Sequence, residues 1–194
     1  QDLEGLLNAA PWLPKSEKLG TMARKRGATS IPAAPDTQRF VWLGSAPKRG
    51  NPKNIEGSGM ASLRSRTIDH IKADNPAAAE AYVEANAGSV SSDGLTELRQ
   101  RVAWSYFIEN DNAAAQRVAG LARIGTGKWA AQADWTYGLA SWRLGDFAAA
   151  GAAFELAALH ANEPEAIAAG HYWAARAAMA TGEPQKVQGA LQTA

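Results

Sequence analysis

Histidines, cysteines and clustered carboxylates build most catalytic and metal centres, and this sequence holds them sparsely. Its three histidines, His70, His160 and His171, lie far apart. None shows the short spacing that puts two imidazoles on one helix face, so no metal site is expected. Cysteine is absent, which removes disulfides, thiolate nucleophiles and Cys-ligated zinc without fixing the compartment. Gly125-Thr-Gly127-Lys128 has the composition of a phosphate loop, but no strand precedes it to aim it at a nucleotide, so it reads as a helix–helix turn. No GxSxG nucleophile elbow and no GxGxxG dinucleotide turn occurs. Cleavage of a glycosidic bond needs a carboxylic acid of raised pKa in a shaped site. Glu97 and Glu155 read as surface residues of amphipathic helices, with nothing to raise them. No catalytic residue and no cofactor is assigned to this chain.

Recognition chemistry has more material. Phe40 and Trp42 precede Lys48, Arg49 and Lys53, the one place where aromatic rings and basic charge come together outside a helical pattern. These five are the candidate contacts, through stacking on a sugar face, through charge, or through anchoring of the loop to the rest of the fold. Trp104, Trp135, Trp142 and Trp173 recur at helical spacing and read as wedges between helices. Arg176 follows Tyr172 by one helical turn and is expected to hold a neighbouring helix end or carboxylate, with a ligand as the alternative.

The elements that carry these residues follow from a repeat. Val102-Ala-Trp-Ser-Tyr-Phe-Ile-Glu-Asn110-Asp111, Leu139-Ala-Ser-Trp-Arg-Leu-Gly145-Asp146-Phe147 and Tyr172-Trp-Ala-Ala-Arg-Ala-Ala-Met-Ala-Thr-Gly182-Glu183 share one design. Each is an aromatic-rich helical stretch closed by Gly or Asn, then an acidic residue, then an alanine-rich stretch. A weaker copy closes at Asp74-Asn75-Pro76. The anchors Asp74, Asn110, Gly145 and Gly182 are spaced by 36, 35 and 37 residues. A helix ends cheaply at a residue tolerant of left-handed φ. A following acid favours the positive start of the next helix, and Pro76 and Pro184 suit a first helical position. The result is one antiparallel hairpin per repeat. In the best copy Gly138, Ala140, Gly145, Asp146, Phe147, Ala150, Phe154 and Ala157 fall on the small, turn and aromatic positions of the tetratricopeptide pattern. Its expected proline is displaced to Pro164.

The fold expected is therefore all-α, an α-α superhelix of tetratricopeptide-like hairpins. Helices are predicted over 3–9 and 16–26, then 62–73, 76–87, 95–109, 112–123, 129–144, 147–160, 164–180 and 184–193. The organisation read from this is N-terminal helices over 1–26, an irregular Pro/Gly-rich basic loop over 27–60 with a short extended piece at 39–43, and hairpin repeats over 61–194. A loop that long is functional or disordered.

Charge is asymmetric behind a net of +1: residues 1–66 carry eleven Lys/Arg and five Asp/Glu, and the remainder nine and fourteen. That balance does not suit a nucleic-acid binder, which concentrates positive charge on one face. No stretch approaches the roughly 18–20 apolar residues of a membrane span. The chain starts at Gln1 with no leader pattern, and is expected to be processed or excised from something longer.

His171-Tyr172-Trp173-Ala174-Ala175-Arg176-Ala177, one repeat after Gly138-Leu-Ala-Ser-Trp-Arg-Leu-Gly-Asp-Phe147, resembles the superhelical domain of soluble lytic transglycosylases. Trp104-Ser-Tyr-Phe with Asn110-Asp111, and Pro11-Trp12-Leu13-Pro14, look like its alphaproteobacterial branch. The resemblance implies a periplasmic parent enzyme that cleaves the MurNAc–GlcNAc bond of peptidoglycan non-hydrolytically, leaving a 1,6-anhydromuramoyl product. It implies a catalytic glutamate in a C-terminal lysozyme-like domain, within Glu-Ser and Gly-Leu-Met-Gln strings absent from this chain. The expected role is a non-catalytic scaffold whose partners are glycan strands and that missing domain. The alternative is a tetratricopeptide-like adaptor that binds a protein or peptide.

Overall fold

Asp74, Asn110, Gly145 and Gly182 all take left-handed backbone, with φ of 52, 65, 80 and 74°. In the computed structural model, which describes residues 2–36, 41, 53–125 and 127–193, these four positions close helices by one shared device. The anchor N–H bonds the carbonyl three residues back, as in Asn110 to Phe107 and Gly145 to Trp142. The next N–H reaches five residues back, as in Asp111 to Tyr106 at 2.9 Å and Asp146 to Ser141 at 3.0 Å. The same pair of bonds recurs at Asp74–Asn75 and Gly182–Glu183. This is the Schellman arrangement, which satisfies carbonyls that a helix end leaves unpaired.

The residue after the anchor then starts the next helix. Asn75, Asp111 and Asp146 accept from the backbone N–H of Ala78, Ala114 and Ala149, each at 3.0 Å. At Asp111 and Asp146 the acid after the anchor thus acts through a direct capping bond, worth ~1 kcal/mol, beyond the dipole effect expected of it.

All described residues are helical, turn or irregular, and none is in a strand. The chain divides into two units, 1–46 and 47–194. In the first, α1 (Asp2–Ala9) packs with α2 (Ser16–Lys25) around Leu7 and Ala23. Residues 28–34 are tied to these helices. Ser30 donates its N–H to Glu4 Oε1 at 2.9 Å and accepts from Asn8 Nδ2 at 3.2 Å, while Ile31 lies against Gly20.

The second unit holds α3 (Met60–Lys72), α4 (Pro76–Ala85), a 3₁₀ turn (Ala87–Ser89), α5 (Ser92–Ile108), α6 (Asn112–Ala122), α7 (Gly127–Arg143), α8 (Phe147–His160), α9 (Pro164–Thr181) and α10 (Pro184–Thr193). Sequential neighbours pack together, and α5 also meets α3 and α7. That makes α5 the hub. Leu98, Val102, Ala103, Tyr106 and Phe107 are buried with Met60, Val83 and Val118 in one core. A second core gathers Phe154, Ala150 and Ala174, flanked by Trp135, Trp142 and Trp173. Gly138 lets α8 approach α7, since a Cβ there would stand 2.7 Å from Phe154 Cε1.

The basic loop expected over 27–60 is described only in part. Its described parts divide between the units, with 28–34 on α1 and α2 and 53–59 in the second unit. The extended piece expected at 39–43 lies outside the described residues, apart from an exposed Val41.

Candidate functional site

Glu97 corrects the sequence reading. By sequence it reads as a surface residue, yet it is fully buried on α5. Its Oε2 accepts the Ile55 N–H at 2.6 Å, and its Oε1 accepts from Arg64 Nε at 2.5 Å and Arg101 Nε at 3.0 Å. Arg64 Nη2 also donates to the Ile55 carbonyl at 2.5 Å, and Arg101 Nη2 to Asn54 Oδ1 at 2.8 Å. The cause of the burial is tertiary, because segment 53–55 and α3 close over the face that α5 alone would leave wet. Burial by itself would raise the Glu97 carboxyl, but the Arg64, Ile55 and Arg101 hydrogen bonds outweigh it and hold the pKa below the ordinary value. A glycosidase-type acid needs the opposite shift. Glu97 is therefore a latch that fastens the chain before α3 to the hub helix. Glu155 is exposed.

A second buried carboxylate, Asp134, bonds Arg123 Nε at 2.6 Å and His160 Nδ1 at 3.0 Å. An Asp–His pair can orient a general base, but among the described residues no hydroxyl is hydrogen-bonded to the ring's other nitrogen. The pair ties the end of α8 to α7. On α5, the Tyr106 hydroxyl donates to Glu80 at 2.8 Å, and burial with this carboxylate pushes its pKa up to about 12. Among the described residues, no group of His, Asp and Glu could hold a metal ion, and no helix is long and apolar enough to cross a membrane.

Of the five contact candidates, Phe40, Trp42, Lys48 and Arg49 lie outside the described residues. Lys53 contributes its backbone: the carbonyl accepts from Trp129 Nε1 at 2.9 Å while its side chain faces solvent. Arg101 stacks over the same Trp129 ring at 4.6 Å, so the end of the basic loop is pinned by an indole and a guanidinium.

In the second unit the exposed aromatics among the described residues, Trp104 and Tyr172, lie on α5 and α9, the first helices of two hairpins, with the half-buried indoles of α7 in the same set of first helices. Trp142 and Trp173 meet edge-to-face at 5.5 Å, and Trp135 meets Trp173 at 6.4 Å, so the α7–α9 seam is filled by indoles. Trp104 departs from the wedge expected of it. It is two-fifths exposed at 41%, stacked on Phe107 at 5.2 Å. Two arginines lie along this band and behave differently. Arg143 stacks over Phe107 at 3.8 Å and donates to the Phe107 carbonyl at 3.1 Å. Arg176 is exposed and stacks over Trp173 at 4.7 Å and Trp142 at 5.2 Å. It holds neither of the partners expected from sequence: among the described residues, no carboxylate or helix-end carbonyl is hydrogen-bonded to it.

The signal that could have exposed this was the i, i+4, i+7 stripe Tyr172, Arg176, Met179, opposite the alanines 174, 175, 177 and 178 that α9 buries. Comparison of the chain with protein-family models, curated proteins and solved structures returns no match in any of the three.

Proposed function

We propose that this chain is the non-catalytic helical-repeat scaffold of a peptidoglycan lytic transglycosylase. It works in the periplasm beside a lysozyme-like catalytic domain of the same polypeptide, and the parent enzyme leaves 1,6-anhydromuropeptides. The repeat is read as tetratricopeptide-like. The observation that carries the reading is the Tyr172–Ala177 string. Its Trp173 packs on the α7 and α8 aromatics while Tyr172 and Arg176 face outward, so the motif behind the resemblance serves both packing and presentation. Glu97 supports a scaffold role over a catalytic one, since its neighbours hold it ionised.

The test is cosedimentation with purified sacculi, together with mass spectrometry of the released products. The chain alone is expected to sediment with sacculi and release no anhydromuropeptides. Release of such products, abolished by a substitution within this chain, would refute the scaffold reading. Failure to sediment would favour the alternative, a protein-binding adaptor, for which the exposed Trp104 of α5 and Tyr172 of α9 are the supporting observation.

A further inference from the structure

Helix α9 buries Gly170, Ala174, Ala175, Ala177 and Ala178. An ordinary amphipathic helix would turn small polar or paired charged residues outward on its other side. Instead α9 presents Tyr172, 50% exposed, Arg176, and Met179, 67% exposed, on one stripe. Arg176 is the one charged group between Tyr172 and Met179. Its guanidinium plane is set by two indoles from different helices, Trp173 on α9 and Trp142 on α7. Trp142 is itself held against Phe147 at 4.9 Å and Trp173 at 5.5 Å.

A guanidinium stacked in this way has lost much of its rotamer freedom before any ligand arrives. Its N–H edges stay free, because stacking uses the π face and leaves the in-plane donors. Arg99 and Arg117 have spent their forks on Glu84 and Glu80, and Arg143 on a backbone carbonyl. Arg24, Arg26 and Arg66 are exposed and unpaired among the described residues, but no described ring holds their guanidinium planes as Trp142 and Trp173 hold that of Arg176. A preorganised fork with no carboxylate partner among the described residues, flanked by a phenol and a thioether, matches a carboxylate attached to a partly apolar body. A bare inorganic anion would leave Tyr172 and Met179 without contacts.

We propose that Arg176, with Trp142, Trp173, Tyr172 and Met179, is a binding site for a peptide carboxylate on the first-helix face. Resting on the scaffold reading above, the occupant is a free carboxylate of a peptidoglycan stem peptide, so the helical repeats grip the peptide and not the sugar backbone.

The test titrates the full chain, by calorimetry, with five probes: a soluble disaccharide-tetrapeptide, the same molecule with its carboxylates amidated, an unrelated acidic peptide, a chitooligosaccharide without carboxylate, and inorganic phosphate. The free acid is expected to bind. Amidation should weaken it about tenfold, the loss of one bidentate charge-assisted contact. Arg176→Gln should weaken the free acid by the same factor and be insensitive to amidation, with Arg176→Lys intermediate and affinity falling as salt rises. The melting temperature of each variant separates loss of the site from loss of fold. Equal binding of the acid and its amide, unchanged binding in Arg176→Gln, phosphate as tight as the peptide, or no binding of any probe would each overturn the site. If sacculi still cosediment with Arg176→Gln and the probes do not discriminate, the site fails and the scaffold reading stands. If an unrelated acidic peptide binds through Arg176 while the muropeptide does not, the carboxylate site stands and the peptidoglycan reading fails.

Discussion

Arg64 and Glu97, thirty-three residues apart in sequence, form a buried ion pair with Nε 2.5 Å from Oε1, and the peptide of Ile55 is held between them. Both backbone groups of Ile55 are used, its N–H by Glu97 and its carbonyl by Arg64. The pair therefore fixes the path of the chain entering α3 as well as the packing of α3 on α5.

Removing one partner leaves the other charge buried. Arg64→Ala is expected to destabilise the second unit by about 3 kcal/mol, the lower end for a broken buried pair because Arg101 stays paired with Glu97, and Glu97→Gln by less, because the amide oxygen still accepts one bond. Denaturant titration of each variant measures this. A cost below 1 kcal/mol for Arg64→Ala would mean the network is wet and dispensable.

The same network sets an acid dependence. Glu97, Glu80 and Glu84 all have folded-state pKa values below the ordinary glutamate value. Their contribution to stability is complete above the unfolded value and is lost as pH falls through the lower folded values. Melting temperature is expected to hold steady from neutral pH down to the ordinary carboxyl range and then drop. In Glu97→Gln the drop should be shallower, and an identical acid limb in variant and parent would count against the assignment.

Gly138 leaves room for Phe154 of α8 against α7. Gly138→Leu is expected to cost about 1–3 kcal/mol despite the better helix propensity of leucine, because Phe154 Cε1 stands 2.7 Å from where the new Cβ would be. An unchanged or raised melting temperature would show that Phe154 can move aside.

Asn110 carries a φ of 65° at a position that glycine fills in the next two repeats. Asn110→Gly should leave stability within about 1 kcal/mol of the parent, since relief of left-handed strain opposes the greater chain entropy of glycine. Asn110→Val should cost more than this, because a β-branched side chain resists that conformation. A valine variant as stable as glycine would mean the hairpin can close through another turn.

The end of the basic loop and Trp42 are predicted to matter for stability or association, and Lys48 with Arg49 for binding. Trp129→Phe removes the bond to the Lys53 carbonyl and should cost about 1 kcal/mol. Deleting 44–58 also removes Ile55 from the Glu97 network and should cost more. Lys48→Ala with Arg49→Ala should leave the melting temperature unchanged and weaken sacculus binding mainly at low salt, whereas Trp42→Ala should lower stability or domain association at any salt. A deletion of 44–58 that changes neither stability, binding nor association would reduce the loop to a tolerated insertion.

What the sequence by itself determined was local. Asp74, Asn110, Gly145 and Gly182 mark helix ends because left-handed φ and a following cap are properties of a few adjacent residues. The helices read from those marks lie within a few residues of α1–α10. Gly138 was legible as a close approach because a repeat assigns small residues to positions facing a neighbour. What only the tertiary structure decided was which polar residues the packing would enclose. On α5, buried Thr96, Glu97 and Gln100 alternate with buried Leu98 and Val102, because α3, α4, α6 and α7 all pack on it and exposure is left to its first residues and to Trp104 and Ile108. Periodicity then carries no signal, and Glu97 reads as a surface residue until Arg64 and Ile55 arrive from 33 and 42 residues away. Arg176 shows the converse. Its neighbours in sequence suggest a paired charge, but stacking on Trp142 depends on where α7 lies, and that placement leaves the guanidinium edge open.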